Sequence, residues 1–318
     1  MSTGLVTAEQ SGIALSDAAR RYVKKSKAAN TLRTYKAAWR EFEHFCTGRG
    51  AEALPAVPAT VIDYLTALAD ARAKVSTIEV KLAALAWAHR TAGRPDPTVF
   101  EAVKATLAGI RRELRRAPTK KEPATLAEIQ AMITTLPDTL KGRRDKALLL
   151  VGFAGAFRRS ELVALDVADV RLNGRLQITI RQSKTDQEGT GLVKTIPAIG
   201  GQLCPVAALK GWLDAASIAS GPVFRRVDRH GNVYPDRLTP QSVALVVKGT
   251  AKDAALDWRA FSGHSLRSGF ITDAMDAGAS DSDIMEQTGH KTERVMRGYR
   301  KSSGVGASRA VLAVFGQA

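Results

Sequence analysis

The chain is poor in the residues that would staple or anchor it. Only Cys46 and Cys204 occur in 318 residues. No disulfide framework is implied, and neither cysteine has the CxxC or Cys/His spacing of structural zinc. No apolar run approaches the roughly 18 residues that a membrane helix needs. Residues 1–12, MSTGLVTAEQSG, lack the basic and then apolar order of a secretory signal. These absences predict a cytoplasmic protein with no membrane partner. Histidine is scarce at five, and neither His264 nor His290 has a carboxylate or cysteine at ligand spacing, so a metal hydrolase is disfavoured and no metal site is expected. Acid is the other deficit. Asp and Glu number 31 against 47 Lys and Arg, leaving +16 at pH 7 and a pI near 10.1. The surplus is spread out, with 20 basic against 11 acidic side chains in residues 1–120 and 27 against 20 in the rest. Such a balance favours nucleic acid over a small acidic substrate.

What is present is mostly helical pattern. The length suggests two domains. From about residue 15 to 116 apolar residues return at steps of three and four. Tyr35, Trp39, Phe42 and Phe45 form one face, with Thr31 as its expected cap. Ile62, Leu65 and Leu68 form another, then Ile78, Leu82 and Leu85, then Val103, Leu107, Ile110 and Leu114. Four or five amphipathic helices make a small bundle, broken at GRGAEALPAVP and AGRPDP. The stretch RRELRRAPTKKEP, residues 111–123, carries six Lys and Arg side chains. It reads as a connector, with the linker proper at 117–124. Its Arg111, Arg112, Arg115, Arg116, Lys120 and Lys121 are placed to lie along a phosphate backbone. The second domain, 125–318, opens with helix, including the apolar run ALLLVGFAGAF. It then switches to a period of two in RLQITIRQ and LVKTIPAI, which predicts a β-hairpin. Helical pattern is expected from about 203 onward.

Chemistry-bearing residues cluster in this second part. FRRSEL sets Arg158 three residues before Glu161 at the end of an apolar helix, where a buried arginine needs a partner. HSLR sets His264 three residues before Arg267. In GHKTERVMRGY, His290 precedes Tyr299 by nine residues. One continuous helix would put these two on opposite faces, ~13 Å apart along the axis, so a shared site requires a turn, with Gly289 and Thr292 supplying it and a new helix starting near Glu293.

In that order these motifs resemble the tyrosine recombinases of the phage integrase family, Cre-like in type, over nearly the whole chain. FRRSEL, the lysine of QSKTD, GHSLRSG and GHKTERVMRGY match the family's pattern in sequence and separation. The resemblance implies a mainly α fold with a small β-sheet, made of a helical core-binding (SAM-like) bundle and a mixed α/β catalytic domain. It implies Tyr299 as nucleophile, with Arg158, Glu161, Lys184, His264, Arg267 and His290 around it. Lys194 is close enough to rival Lys184.

Phosphodiester cleavage gives each residue a reason. A phenol with pKa ~10 needs a proton acceptor and nearby positive charge. His264 can take the proton, and the two guanidiniums can fork onto the nonbridging oxygens. His290 can donate to the same oxygens, Lys184 can protonate the leaving 5′ oxygen, and Glu161 can orient the cluster. No cofactor is implied. The expected partner is double-stranded DNA with paired inverted half-sites, held by a homotetramer that passes through a Holliday junction. Two other readings stand beside this one. A type IB topoisomerase shares the chemistry and differs in needing one subunit; the apolar tail SRAVLAVFGQA, which in the family docks on a neighbouring subunit, favours the recombinase. A helix-turn-helix regulator would use AMDAGASDSDIMEQTGH, but Asp281 and Asp283 at the start of its second helix repel phosphate.

Overall fold

The structure, a computed structural model, describes residues 27–115, 121–181 and 191–303. The chain divides into two compact units, Met1–Pro118 and Thr119–Ala318.

In the first unit, α1 (Ala29–Thr47), α2 (Pro58–Asp70), α3 (Val75–Thr91) and α4 (Glu101–Glu113) follow the apolar periodicity. Phe42, Val61, Leu65, Ile78, Leu85, Val103 and Ile110 form the core, with Trp39 and Phe45 packed at its edge. The expected cap at Thr31 is corrected. Leu32 N–H already donates to Ala28 O at 3.1 Å, so the helical ladder starts a turn earlier and Ala28 stands at the cap without a side-chain acceptor. His89 is wholly buried in this unit. Its Nε2 accepts from Ala56 N–H at 2.9 Å, and its Nδ1 lies 2.9 Å from Leu85 O. The neutral Nδ1–H tautomer satisfies both, tying the loop before α2 to α3.

The second unit is built on α6 (Leu140–Ala154), whose residues Ala147–Phe153 are all buried. Packed on or beside it are α5 (Leu126–Thr134), α7 (Arg159–Ala164), α8 (Pro205–Ala215), α9 (Pro240–Asp253) and α10 (Ser265–Asp276). A helix apolar all round in this way belongs in a core. The expected hairpin is present as β2 (Arg175–Ile180) and β3 (Leu192–Pro197), antiparallel with Ile178 opposite Lys194, and β1 (Val170–Leu172) adds a third strand to β2. The loop between β2 and β3, with Lys184, lies outside the described residues.

Helical pattern does not run unbroken from 203. A ribbon of β4 (Arg225–Val227) and β5 (Val233–Arg237) interrupts it. These strands are too short and too charged to show alternation. Their turn is closed instead by Asp228, whose carboxylate accepts from His230 N–H, Asn232 N–H, Asn232 Nδ2 and Tyr234 OH. Residues 121–124, part of the connector by composition, lie along the second unit: Glu122 N–H donates to Ala260 O and Ala124 N–H to Ser265 O, each at 2.9 Å. Gly269 permits this approach, since a Cβ there would sit 1.8 Å from Ala124 O.

The last described elements are α11 (Asp281–Thr288) and α12 (Glu293–Ser303). With α10 they enclose Ile271, Met275, Ile284 and Met296. Among the described residues no helix is long and apolar enough to cross a membrane. The tail after 303 lies outside the described residues.

Burial holds the His89 imidazolium below its usual pKa. The folded state therefore binds fewer protons, and His89's contribution to stability is present above the unfolded pKa and is lost as pH falls from there through the lowered folded value. Thermal unfolding should lose stability on acidification more steeply in wild type than in His89→Gln, whose amide can make both hydrogen bonds. Equal acid sensitivity in the two proteins would refute this.

Candidate functional site

The site grows from the turn that ends α6. Gly155 closes the helix, and a Cβ there would meet the Phe157 ring at 2.1 Å. Ala156 follows at φ +46, a left-handed conformation that costs a side-chain-bearing residue ~1–2 kcal/mol. The chain is thereby turned so that Arg158 begins a new helix instead of ending the old one. Arg158 is the cap residue of α7: its N–H donates to Glu161 Oε2 at 3.0 Å, and its Nη1 donates to Glu161 Oε1 at 2.6 Å. Glu161 is buried, and the Arg158 side chain keeps 21% of its surface exposed. The spacing of three is a capping geometry with an ion pair added.

His264 and Arg267 open α10. His264 stands at the cap position and faces solvent, whereas Arg267, three residues on, is 0% exposed. Its Nη1 donates to Ala156 O at 2.7 Å, and its Nη2 lies 2.7 Å from His290 Nε2. A guanidinium only donates, so this imidazole nitrogen is the acceptor. Nδ1 then carries the proton and faces Thr288 Oγ1 at 2.9 Å. The Nε2 that could donate to a phosphate is, in this arrangement, an acceptor from Arg267.

Gly289 ends α11 at φ +70, and a Cβ on it would press to 2.8 Å from Leu192 of β3. The chain reverses there and α12 restarts at Glu293, which brings Tyr299 back beside His290 with ring centroids 6.3 Å apart. Tyr299 Oη lies 3.3 Å from His264 Nε2. Four stretches, residues 155–161, 264–267, 288–290 and Tyr299, thus meet within one unit.

Arg267, His290 and His264 have a reduced hold on their protons. Burial, then Arg158, lowers the Arg267 pKa to about 10. Burial and the cations of Arg267, Arg158 and Lys194 drop that of His290 to about 3. Desolvation and the neighbouring arginines also lower His264. Burial raises the Tyr299 phenol, while Arg267 and Arg158 pull it back. Positive charge is concentrated with Glu161 as its near counterweight, the condition of a site made for an anion.

Lys194 is 1% exposed on the buried face of β3, between Leu192 and Ile196. The alternation of LVKTIPAI places it there, a signal the sequence carries in plain form. Of the expected phosphate-backbone contacts, Arg111 pairs with Glu79 at 2.7 Å and Lys121 donates to Arg259 O at 2.5 Å. Arg112 and Arg115 are exposed, while Arg116 and Lys120 lie outside the described residues. Sequence reasoning missed Thr288 and Gln287, whose polar groups act on neighbours that only folding supplies.

The profile of the phage integrase family matches residues 124–304. An integrase/recombinase XerD homolog from Selenomonas ruminantium is 40% identical, aligning 90% of this chain with 85% of its own. The recombinase Cre of Escherichia phage P1 is 25% identical over 82% of this chain and 80% of its own. Two solved structures share the fold. The Tn1549 transposon integrase, in complex with transposon right end DNA, covers 93% of this chain and 96% of its own at a TM-score of 0.61 and 16% identity. The XerH site-specific recombinase, bound to a palindromic difH substrate, covers 88% and 78% at a TM-score of 0.60 and 14% identity.

Glu161→Ala should remove both the cap and the ion pair, lowering the stability of the second unit by about 2–4 kcal/mol in urea unfolding. Glu161→Gln, which keeps the cap acceptor, should lose less. Two variants as stable as wild type would show that the pair does not hold this turn.

Proposed function

The chain belongs to the phage integrase family and is a tyrosine site-specific recombinase, and we propose that Tyr299 is its nucleophile. The observation that carries this assignment is the Tyr299 phenol 3.3 Å from His264 Nε2, beside the clustered arginines. Tyr299 Oη attacks the scissile phosphorus and passes its proton to His264 Nε2, whose lowered pKa keeps it neutral and ready to accept. Arg158 and Arg267 fork onto the nonbridging oxygens as charge builds there. The same phosphate raises the proton affinity of His290, after which Nε2 donates to it. Lys184 gives a proton to the departing 5′ oxygen. The products are a 3′-phosphotyrosyl bond and a free 5′-hydroxyl.

A 5′-hydroxyl from the partner duplex then attacks that bond, so joining needs no ATP, and two such exchanges pass through a Holliday junction. The guanidiniums supply the charge that a metal ion supplies elsewhere. The DNA partner carries paired inverted half-sites bound by four copies of the chain, an arrangement in keeping with the palindromic substrate of the XerH complex. The protein works in the cytoplasm, where its DNA is.

Wild type and Tyr299→Phe are to be incubated without Mg²⁺ with supercoiled plasmids carrying DNA from the chain's own genomic neighbourhood, then denatured. Wild type alone should become DNA-linked, while both proteins bind with the same salt dependence. Adduct formation by the phenylalanine variant would point to another nucleophile. The rate of adduct formation, followed from about pH 8 to about pH 5, should fall only below the usual imidazole pKa, where His264 becomes protonated. An acid limb above that value would remove His264 as the base.

A further inference from the structure

The carbonyls that close α6 are held by side chains from three other elements. Gln287 Nε2, at the end of α11, donates to Ala154 O at 2.8 Å. Lys194 Nζ, from β3, donates to Gly155 O at 2.5 Å. Arg267 Nη1, from α10, donates to Ala156 O at 2.7 Å. These are orphan carbonyls of a helix end, the place where cations are favoured. Lys194 also donates to Gln287 O and lies 4.9 Å from the centre of the Phe157 ring. Its ammonium therefore spans the turn before Arg158 and the residue two before Gly289.

We propose that Lys194 is a positioning residue that fixes the turn carrying Arg158 to the helix end carrying His290, so that the arginines and His290 meet one phosphate in register. The inference rests on the recombinase reading of the same site. Two of the three ammonium donors are engaged by main-chain carbonyls, and the side chain is fully enclosed, so Lys194 acts through its neighbours and not on the leaving group. An apolar residue would fit the strand's alternation better. A buried cation with no carboxylate bonded to it among the described residues is retained here because two elements of the site need a common anchor. Burial together with Arg267 and Arg158 brings its pKa to about 7, opposed by Glu161. The neutral amine still has two hydrogens for the two carbonyls, so the tie does not depend on charge alone.

The test compares Lys194→Met, Lys194→Arg, Lys194→Gln and Gln287→Ala with wild type on a plasmid segment that the wild-type enzyme cleaves. Lys194→Met should bind that DNA unchanged yet form adduct about 100-fold more slowly, the scale of a misplaced reacting group. Lys194→Arg should recover to within about tenfold of wild type. A 5′-bridging phosphorothiolate at the cleaved bond, whose thiolate leaves without a proton, should not restore Lys194→Met. Hydrogen exchange of the DNA-free variant should quicken at residues 155–158 and 287–290 and not across the rest of the second unit.

Adduct formation within about threefold of wild type would overturn the proposal. So would rescue by the phosphorothiolate, which would make Lys194 the general acid, or unchanged exchange at the two segments. If Lys194→Met does not fold, Lys194→Gln decides, its side chain being one atom too short to hold both carbonyls, with about tenfold slower cleavage expected and an unchanged rate overturning the idea. Gln287→Ala, which keeps the Gln287 carbonyl, is the control for the separate bond from Gln287 Nε2 to Ala154 O. A wild-type enzyme that never forms adduct would sink the recombinase assignment of Tyr299, while the exchange measurement would still judge the tie.

Discussion

Full burial of the Arg267 guanidinium is the constraint on which the site depends. A charge removed from water must find polar partners at once. Here they are a main-chain carbonyl at the α6 turn and a neutral imidazole at the end of α11. Among the described residues, Nε of Arg267 is left without a hydrogen-bond partner. Each partner is fixed in turn: Ala156 O can face the arginine because the chain turns left-handed there, and Arg267, which can only donate, sets the His290 tautomer that leaves Nδ1–H towards Thr288 Oγ1. Remove the arginine, and Ala156 O and His290 Nε2 each lose their partner.

The electrostatics follow from the same burial. Arg158, Arg267, Lys194, His264 and His290 share a small volume with Glu161, and the shifts at Arg267, Lys194, His264 and His290 favour loss of a proton. A cluster of that charge favours an anion such as a phosphodiester. Under the proposed mechanism, recognition of the backbone and stabilisation of the transition state would come from one preorganised field. Local stability at the catalytic turn is the cost of that field, borne by the apolar α6 behind it.

Much of this was legible in the residues, for identifiable reasons. The family resemblance pointed to Tyr299, and its spacing from His290 required a turn, which Gly289 together with Glu293 supplies. The first-unit helices could be read because each buries a single stripe. The β4–β5 ribbon could not, since its register is set by Asp228 bonding within its own loop and not by alternation. The role of residues 121–124 was also hidden: a basic connector by composition, they run against α10 because Gly269 leaves room for Ala124 O.

Sequence alone determined the helical stripes and the β2–β3 pairing, because these depend on periodicity and local spacing, while the candidate site residues came from the family resemblance. Only the tertiary structure decided that Arg267 is buried while His264 is open, that His290 accepts where a donor was expected, and that Lys194 joins two helix ends through main-chain carbonyls. Those outcomes hang on which backbone groups are left unpaired once the chain has folded. Carbonyls carry no side-chain identity, and so no one-dimensional pattern can announce where they will point.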